Sequence, residues 1–174
     1  MATNDTDEQR LVFDSLRNGA PGHDTLLAFY DGCAPLAVDD LRGLWRGGAW
    51  ATGTRFDGLL ERIAWYGKVF RGADDVQALL FQRPSTLLGW LNRALIWPFR
   101  VPERRGLVRH PLGRARLRET RFRGQVSVAM LYDYLPIIDH FRRVDATTVI
   151  GLMDLRGRRD SQLFFWLGRF PAGG

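Results

Sequence analysis

The sequence predicts a single α+β domain made mainly of antiparallel strands, arranged as a sheet or small barrel with short helices at its ends. Short segments with alternating apolar and polar side chains recur along the chain, and turns rich in glycine and proline separate them. Segments with helical spacing are few. A chain of 174 residues can bury one core, so we expect one domain over residues 1–174.

Two short helices are expected before the first strand. Residues 1–8 are polar and we expect them to be disordered, although a capping-box pattern at Thr6 opens a helix that ends at Asn18. A second helix is predicted over residues 24–30, and glycine follows it. The apolar sides of these helices would plug one end of a sheet.

A glycine- and tryptophan-rich segment comes next. Residues 41–53 predict a strand or bent strand pair, because glycine permits tight bends and tryptophan supplies apolar area. Residues 56–66 place apolar side chains at helical spacing and predict a helix. Strands are expected at residues 69–70 and 76–81, on either side of a turn.

The middle of the chain holds an apolar segment and a basic one. Residues 85–97 are too short to cross a membrane and too apolar for a free loop, so they predict a buried helix, a lid or a dimer contact. Residues 103–113 predict a loop. Nine arginines between Arg100 and Arg123 indicate a solvated or edge-strand face, or a site for an anion.

Residues 105–170 are the part of the chain richest in strands. Residues 115–122 and 126–134 predict a hairpin turned by Gly124. In the second of these strands Val128, Met130 and Tyr132 share one face, and both faces are largely apolar. We therefore expect this strand to be covered on both sides.

Two further strands are expected after this hairpin. Pro136 cannot donate to a strand ladder, so residues 137–142 predict a turn or a short helical piece. A strand at residues 147–153 follows, in which Gly151 marks a bulge or a close approach. The last strand, at residues 162–170, is apolar on both faces.

The composition excludes several classes of protein. The formal net charge is +6, yet of the 25 basic residues only Lys68 is lysine, which is typical of a genome rich in arginine codons. No nucleic-acid motif accompanies these arginines, so we expect no nucleic-acid partner. A single cysteine, Cys33, and the lack of a signal peptide or membrane span predict a reducing cytoplasm.

No metal or cofactor is expected. The histidines His23, His110 and His140 are far apart and have no cysteine partners, which argues against a zinc site. Neither a phosphate-binding glycine loop nor a nucleophile elbow is present.

Several motifs together resemble a known family. Gly43 to Gly47 read GLWRG, a Gly-x-Trp-x-Gly motif, followed by GLLERIAWYGKVF at residues 58–70 and by VSVAMLYDYLPIIDHFRRVD and GLMD further on. These resemble the bacterial and fungal family named after its GXWXG motif, here residues 41–70, which is joined to a companion C-terminal domain of unknown function. The Gly-x-Trp opening is also similar to lipocalin-like, or calycin, barrels. The resemblance implies a lipocalin-like sheet or barrel with room for one small ligand.

Four ionisable side chains near the strand at 126–134 are candidates for catalysis: Tyr132, Asp133, Asp139 and His140. Tyr132 and Asp133 point to opposite faces, so only one of them lines a given cavity. An inward phenol donates to a carbonyl or an oxyanion, and a buried aspartate or a histidine held by a carboxylate moves a proton. The alternatives are a core tyrosine bonded to backbone and carboxylates that cap turns or pair with arginine.

We expect an interior pocket for a hydrophobic small molecule. Its predicted lining is Trp45, Trp65, Tyr66, Met130 and Trp166, together with Tyr132. The leading hypothesis is a cofactor-independent isomerase, cyclase or lyase of secondary metabolism, which polarises one carbonyl or moves one proton. The alternatives are a non-catalytic carrier or sensor for a lipid or similar ligand, and an interaction module, such as a homodimer, that uses residues 85–97.

Overall fold

The computed structural model describes residues 2–82, 101–102, 106–157 and 162–169. In this part of the chain the helices are α1 (Ala2–Asn18), α2 (His23–Gly32) and α3 (Leu59–Arg62), with short 3-10 helices at Val38–Leu41 and Pro111–Gly113. The strands are β1 (Gly43–Ala49), β2 (Trp65–Gly72), β3 (Asp75–Gln82), β4 (Val101–Pro102), β5 (Leu107–Arg109), β6 (Arg114–Phe122), β7 (Gln125–Tyr132), β8 (Ile137–Arg143), β9 (Thr148–Leu155) and β10 (Leu163–Arg169).

Eight of the described strands close into an antiparallel barrel. Neighbouring strands follow the order β1-β10-β9-β8-β7-β6-β3-β2, and β2 pairs again with β1. The short strand β5 pairs with the later half of β3, and β4 pairs with β5. This barrel, with its few helices, confirms the predicted lipocalin-like α+β fold.

Apolar side chains fill most of the barrel interior, because each strand turns alternate residues inward. All eight barrel strands contribute: Trp45, Trp65, Phe70, Val76, Ala78, Ala115, Leu117, Val128, Met130, Phe141, Val149, Phe165 and Leu167. The rings of Phe141 and Phe165 meet edge to face at 5.8 Å in this core.

The helices α1 and α2 cover the outer face of the barrel wall. Phe13 of α1 and Tyr30 of α2 pack against Ile150 and Phe164, which point outward from β9 and β10. The next residue of β10, Phe165, points inward. A wall that is apolar on both faces needs a second cover, and the helices therefore lie along the wall, whereas we expected them to plug an end.

The N-terminal helix is longer than predicted. α1 runs from Ala2, so residues 2–8 are helical, whereas we expected disorder there. Arg17 lies in the last turn of α1, where positive charge interacts favourably with the helix dipole. The second helix is found where it was predicted.

The predicted hairpin and the predicted close approach of Gly151 are confirmed. Phe122 pairs with Gln125, which leaves Arg123 and Gly124 as a two-residue turn. Their φ angles are 50° and 79°, as a type I′ turn requires. A Cβ at Gly151 would collide with the ring of Phe165.

Two predicted helical pieces are wrong. The helix expected over residues 56–66 is limited to α3, and Ala64 ends it with a left-handed φ of 50° before β2 begins at Trp65. The turn or helical piece expected over residues 137–142 is strand β8, which pairs with β9 along its length. In both cases ladder hydrogen bonds and burial outweigh the local pattern.

The arginine-rich strand β6 forms ion pairs at the surface. Arg116 pairs with Asp133 at 2.8 Å and Arg118 with Asp74 at 2.7 Å. These contacts match the expectation of a solvated, charged face.

The predicted lid or dimer contact at residues 85–97 lies outside the described residues. In the described ranges, no helix has the length and apolar character needed to cross a bilayer.

Candidate active site in the barrel interior

Three polar side chains meet inside the otherwise apolar barrel. The Lys68 ammonium donates a hydrogen bond of 2.9 Å to Asp139 Oδ2 and lies 3.3 Å from the Tyr132 hydroxyl. That hydroxyl is 3.4 Å from the same Asp139 oxygen. We call Lys68, Asp139 and Tyr132 the interior polar cluster.

An irregularity in β2 brings Lys68 into the interior. The pairing of β2 with β3 shifts register on both sides of Gly67. Gly67 has φ of 152°, and a Cβ there would collide with the carbonyl oxygen of Trp45, so only glycine fits. The bulge lets Trp65 and Lys68 share one face, and Lys68 Nζ lies 5.3 Å from the centroid of the Trp65 ring.

Regular pairing positions the other two members of the cluster. Met130 on β7 pairs with Asp139 on β8, and Tyr132 follows two residues later on the same face as Met130. Asp139 and Phe141 both face the interior by the same alternation. The adjacent strands β7 and β8 therefore place the Tyr132 phenol and the Asp139 carboxylate close together.

Burial dominates the electrostatics of the cluster. The side chains of Lys68 and Asp139 are each 3% exposed. Loss of water lowers the pKa of Lys68 and raises the pKa of Asp139, while their mutual attraction and hydrogen bond oppose both shifts. Since the two pKa values move towards each other, transfer of a proton from the amine to the carboxylate costs less here than it does in water.

Tyr132 keeps its proton in this environment. Burial, and then the charge of Asp139 and its hydrogen bond, raise the pKa of the Tyr132 phenol well above the ordinary value. The hydroxyl is therefore a hydrogen-bond donor at any physiological pH.

Aromatic rings surround the ammonium group. Lys68 Nζ lies 4.9 Å from the centroid of the Phe165 ring and 5.6 Å from that of Tyr132, in addition to the Trp65 contact. Ring faces attract a cation in a dry interior. A positive charge at this point is thus stabilised by the rings as well as by Asp139.

The cluster lies towards one end of the barrel. Tyr132 is the last residue of β7 and is only half-buried. Half-buried apolar side chains from the same end, including Leu60 and Ile63 near α3 and Met153 near the end of β9, pack on the interior core. The surroundings of the cluster at this end of the barrel are therefore apolar.

Two of the four predicted catalytic residues, Tyr132 and Asp139, come together in this cluster. Asp133 points outward, where it accepts hydrogen bonds from Arg116. His140 follows Asp139 in β8 and therefore faces the outer side of the wall. Of the predicted groupings, alternation separates His140 from Asp139, whereas Asp133 lies on the outer side with His140 but pairs with Arg116.

His140 has a packed and partly polar environment of its own. Its ring stacks on Phe122 at 3.8 Å, and its Nδ1 lies 3.4 Å from Thr120 Oγ1. Desolvation lowers the pKa of His140 to about 4, which the nearby charge of Asp154 only partly offsets. The imidazole is consequently neutral at physiological pH.

The predicted lining residues divide between the two faces of the wall. Trp45, Trp65 and Met130 belong to the interior core. Trp166 lies on the outer face, where it packs with α1 and lies beneath an arginine guanidinium, so its predicted place in the pocket is corrected. Tyr66, next to Trp65 in β2, is half-buried and is not part of the interior core.

Sequence reasoning did not assign Lys68 to the site. One signal was available, because Lys68 is the only lysine among 25 basic residues and sits beside apolar strand residues. Its inward orientation depends on the bulge at Gly67, and strand alternation alone does not reveal that bulge.

A cleft of about 430 Å³ lies elsewhere, between β3, β5 and β6. Charged side chains line it, including Asp74, Asp75, Arg109 and Arg114, and no member of the interior polar cluster does. The interior polar cluster is the stronger candidate site, since it brings three ionisable side chains within hydrogen-bonding distance of one another inside the barrel.

Comparisons with known proteins place the chain in a family. Residues 28–85 match the model of the GXWXG protein, and residues 113–169 match that of a domain of unknown function, DUF4334. A crystal structure of a protein from Thermomonospora curvata is similar, with 38% identity and a TM-score of 0.75, over 94% of this chain and 98% of that one. The chain belongs to the GXWXG family. No curated protein matches this member of the family.

The GXWXG motif supports the interior of the barrel. Its tryptophan, Trp45, is 1% exposed and its indole N–H donates to the Leu41 carbonyl. At the final glycine, Gly47, a Cβ would collide with the Trp65 ring. In this GXWXG protein the motif therefore makes space for Trp65, which contacts Lys68.

Proposed function

We propose that this GXWXG protein is a cofactor-independent isomerase, cyclase or lyase that binds a hydrophobic carbonyl compound at the end of its barrel where Tyr132 lies. The observation that carries the proposal is the interior polar cluster, where a lysine, an aspartate and a tyrosine meet within 3.4 Å in an apolar core. Perturbed ionisable groups in dry surroundings are typical of sites that move protons.

Each member of the cluster has a role in this proposal. Tyr132 donates a hydrogen bond to the substrate carbonyl and stabilises the oxygen as negative charge develops on it. Asp139, whose pKa is raised by burial, exchanges a proton with the carbon next to the carbonyl. Lys68 supplies the positive charge that holds Asp139 in place and balances the developing enolate.

Return of the proton to a different carbon gives an isomer, and loss or formation of a bond at the enolate carbon gives a lyase or cyclase reaction. None of these steps transfers electrons to an acceptor. The apolar side chains around the cluster favour a hydrophobic substrate, because burial of apolar surface supplies binding energy and excludes water.

A non-catalytic carrier would use the same barrel, but it would not need an acid–base pair. A buried lysine and aspartate cost stability compared with a packed apolar pair. The cluster therefore favours an enzyme over a carrier.

The test is proton exchange on a model ketone. Octan-2-one is incubated in D₂O with the purified protein, and loss of the protons next to the carbonyl is followed by NMR, with binding measured from tryptophan fluorescence. We expect exchange above the buffer rate, close to the buffer rate with Asp139→Asn, and unchanged with Tyr134→Phe, because Tyr134 is 59% exposed. Binding without exchange would indicate a carrier, and absence of both would refute a site for hydrophobic carbonyl compounds.

A further inference from the structure

We propose that Lys68 is a covalent catalyst, whose amine forms an imine with the carbonyl carbon of an aldehyde or ketone substrate. This inference rests on the proposed function, since it specifies how the same site engages the carbonyl.

The choice of lysine at position 68 is the first argument. The chain uses arginine at every other basic position, so a plain positive charge here would be expected to come from arginine as well. A guanidinium stays protonated in proteins, whereas an amine can lose its proton and attack a carbonyl carbon. Position 68 therefore carries a basic side chain that can become a nucleophile, which arginine cannot.

The surroundings of Nζ are the second argument. Imine formation needs an acid to remove the carbonyl oxygen and a counter-ion for the product, and Asp139 lies 2.9 Å away. It also needs a donor to activate the carbonyl, and the Tyr132 hydroxyl lies 3.3 Å from Nζ. The aromatic rings of Trp65 and Phe165 flank the nitrogen and would stabilise the iminium cation.

The directions of the pKa shifts at Lys68 and Asp139 agree with the argument from geometry. Burial lowers the pKa of Lys68 and raises that of Asp139, so the neutral pair of amine and carboxylic acid is more accessible than in water. The neutral pair is the reactive state, because only the free amine is a nucleophile.

The step balances without any further reactant. The Lys68 ammonium gives one proton to Asp139, and the free amine adds to the carbonyl carbon while Tyr132 donates to the oxygen. A C–N bond forms and the C–O bond breaks. Of the three protons on the amine and Asp139, two leave with the oxygen as water and one stays on the iminium nitrogen beside the Asp139 carboxylate.

The iminium then serves the proposed reaction. It withdraws electrons from the neighbouring carbon more strongly than a carbonyl does, so Asp139 removes a proton from that carbon more easily. The resulting enamine is protonated at another carbon, or it forms or breaks a carbon–carbon bond. Water then hydrolyses the imine and frees Lys68.

The test uses hexanal with sodium cyanoborohydride, which reduces an imine to a stable secondary amine. Intact mass and peptide mapping then locate the added hexyl group. The analysis is simple because Lys68 is the only lysine, so the N-terminal amine is the only other primary amine. Arg118→Lys supplies a control lysine at an exposed position, since the Arg118 side chain is 48% exposed.

We expect a hexyl group on Lys68 at pH 7, formed faster than on the control lysine, because its lowered pKa raises the free-amine fraction and because Asp139 and Tyr132 lie beside Nζ. Lys68→Arg should abolish the internal adduct, and Lys68→Met provides a smaller, neutral alternative if arginine does not fit. Labelling confined to the N-terminus and the control lysine would overturn the imine proposal. If octan-2-one exchange persisted in that case, the proposed function would stand with Lys68 as an electrostatic partner only.

Discussion

Lys68 and Asp139 form an ion pair of 2.9 Å across the interior of the barrel, joining β2 to β8, which are not neighbours in the sheet. Both side chains are almost fully withdrawn from water. An ion pair in this position stabilises a protein poorly compared with apolar residues of the same volume. Stability alone therefore does not account for this pair inside the barrel, whereas the proposed function does.

Substitution of one partner of this pair should be strongly destabilising. We expect Lys68→Met or Asp139→Leu to lower the free energy of unfolding by about 3–5 kcal/mol at pH 7, because either leaves a buried group without its partner. The double variant Lys68→Met with Asp139→Leu should recover most of this loss. Urea unfolding of the four proteins gives the coupling energy.

The exposed pair of Arg118 and Asp74 is the matched control. Its side chains are 48% and 77% exposed. We expect Arg118→Ala to cost less than about 1 kcal/mol, as is usual for surface ion pairs. A Lys68 variant no more costly than this control would show that the interior pair contributes little.

Tyr132 should matter for catalysis more than for binding. We expect Tyr132→Phe to slow exchange of octan-2-one protons by about 10²-fold, the usual effect of losing one donor to a developing oxyanion. Its affinity for the ketone should change little, because the ring remains. An unchanged exchange rate would remove Tyr132 from the mechanism.

Acid should destabilise the protein through His140. Its pKa is about 4 in the folded state, against an ordinary value of 6.5, so between these pH values the unfolded chain binds more protons. Stability therefore falls as the pH is lowered through this window, by up to about 1.4 kcal/mol per pH unit from this one group.

His140→Gln should flatten the pH dependence of urea unfolding between pH 6.5 and 4. NMR titration of the His140 ring provides an independent measurement. A midpoint near 6.5 in the folded protein would contradict the environment described for this histidine.

The last glycine of the GXWXG motif should not tolerate a side chain. We expect Gly47→Ala to cost about 1–3 kcal/mol, the usual range for overpacking a core, because the new methyl group would displace the Trp65 ring. Gly72→Ala is the control, since a Cβ there meets nothing within 4 Å. Displacement of Trp65 should also shift its fluorescence, and an unchanged spectrum would show that the ring does not move.

Local patterns predict the fold well where one strand face is clearly apolar. The β6–β7 hairpin follows from alternation and from Gly124, and the inward face of β7 includes Met130 and Tyr132 as expected. β8 was missed because Pro136 and a short mixed sequence conceal a strand whose pairing comes from β7 and β9.

The site is harder to predict because it depends on single-residue register. In a strand one residue decides between the two faces, so Asp139 is interior while His140 beside it is not. Lys68 faces inward only because of the bulge at Gly67. Such a shift arises from a tertiary contact with the Trp45 carbonyl and leaves little trace in the local sequence.

The pairing of β1 with β10 also affects how the protein folds. Most neighbours in the barrel are close in sequence and can pair early, but β1 and β10 come from opposite ends of the barrel sequence. Contacts of this kind carry a large loop-closure entropy before they gain any stability, and they slow folding to milliseconds or longer. Pairing of β1 with β10 is thus the step expected to limit refolding. Until these two strands have paired, the interior polar cluster remains open to water.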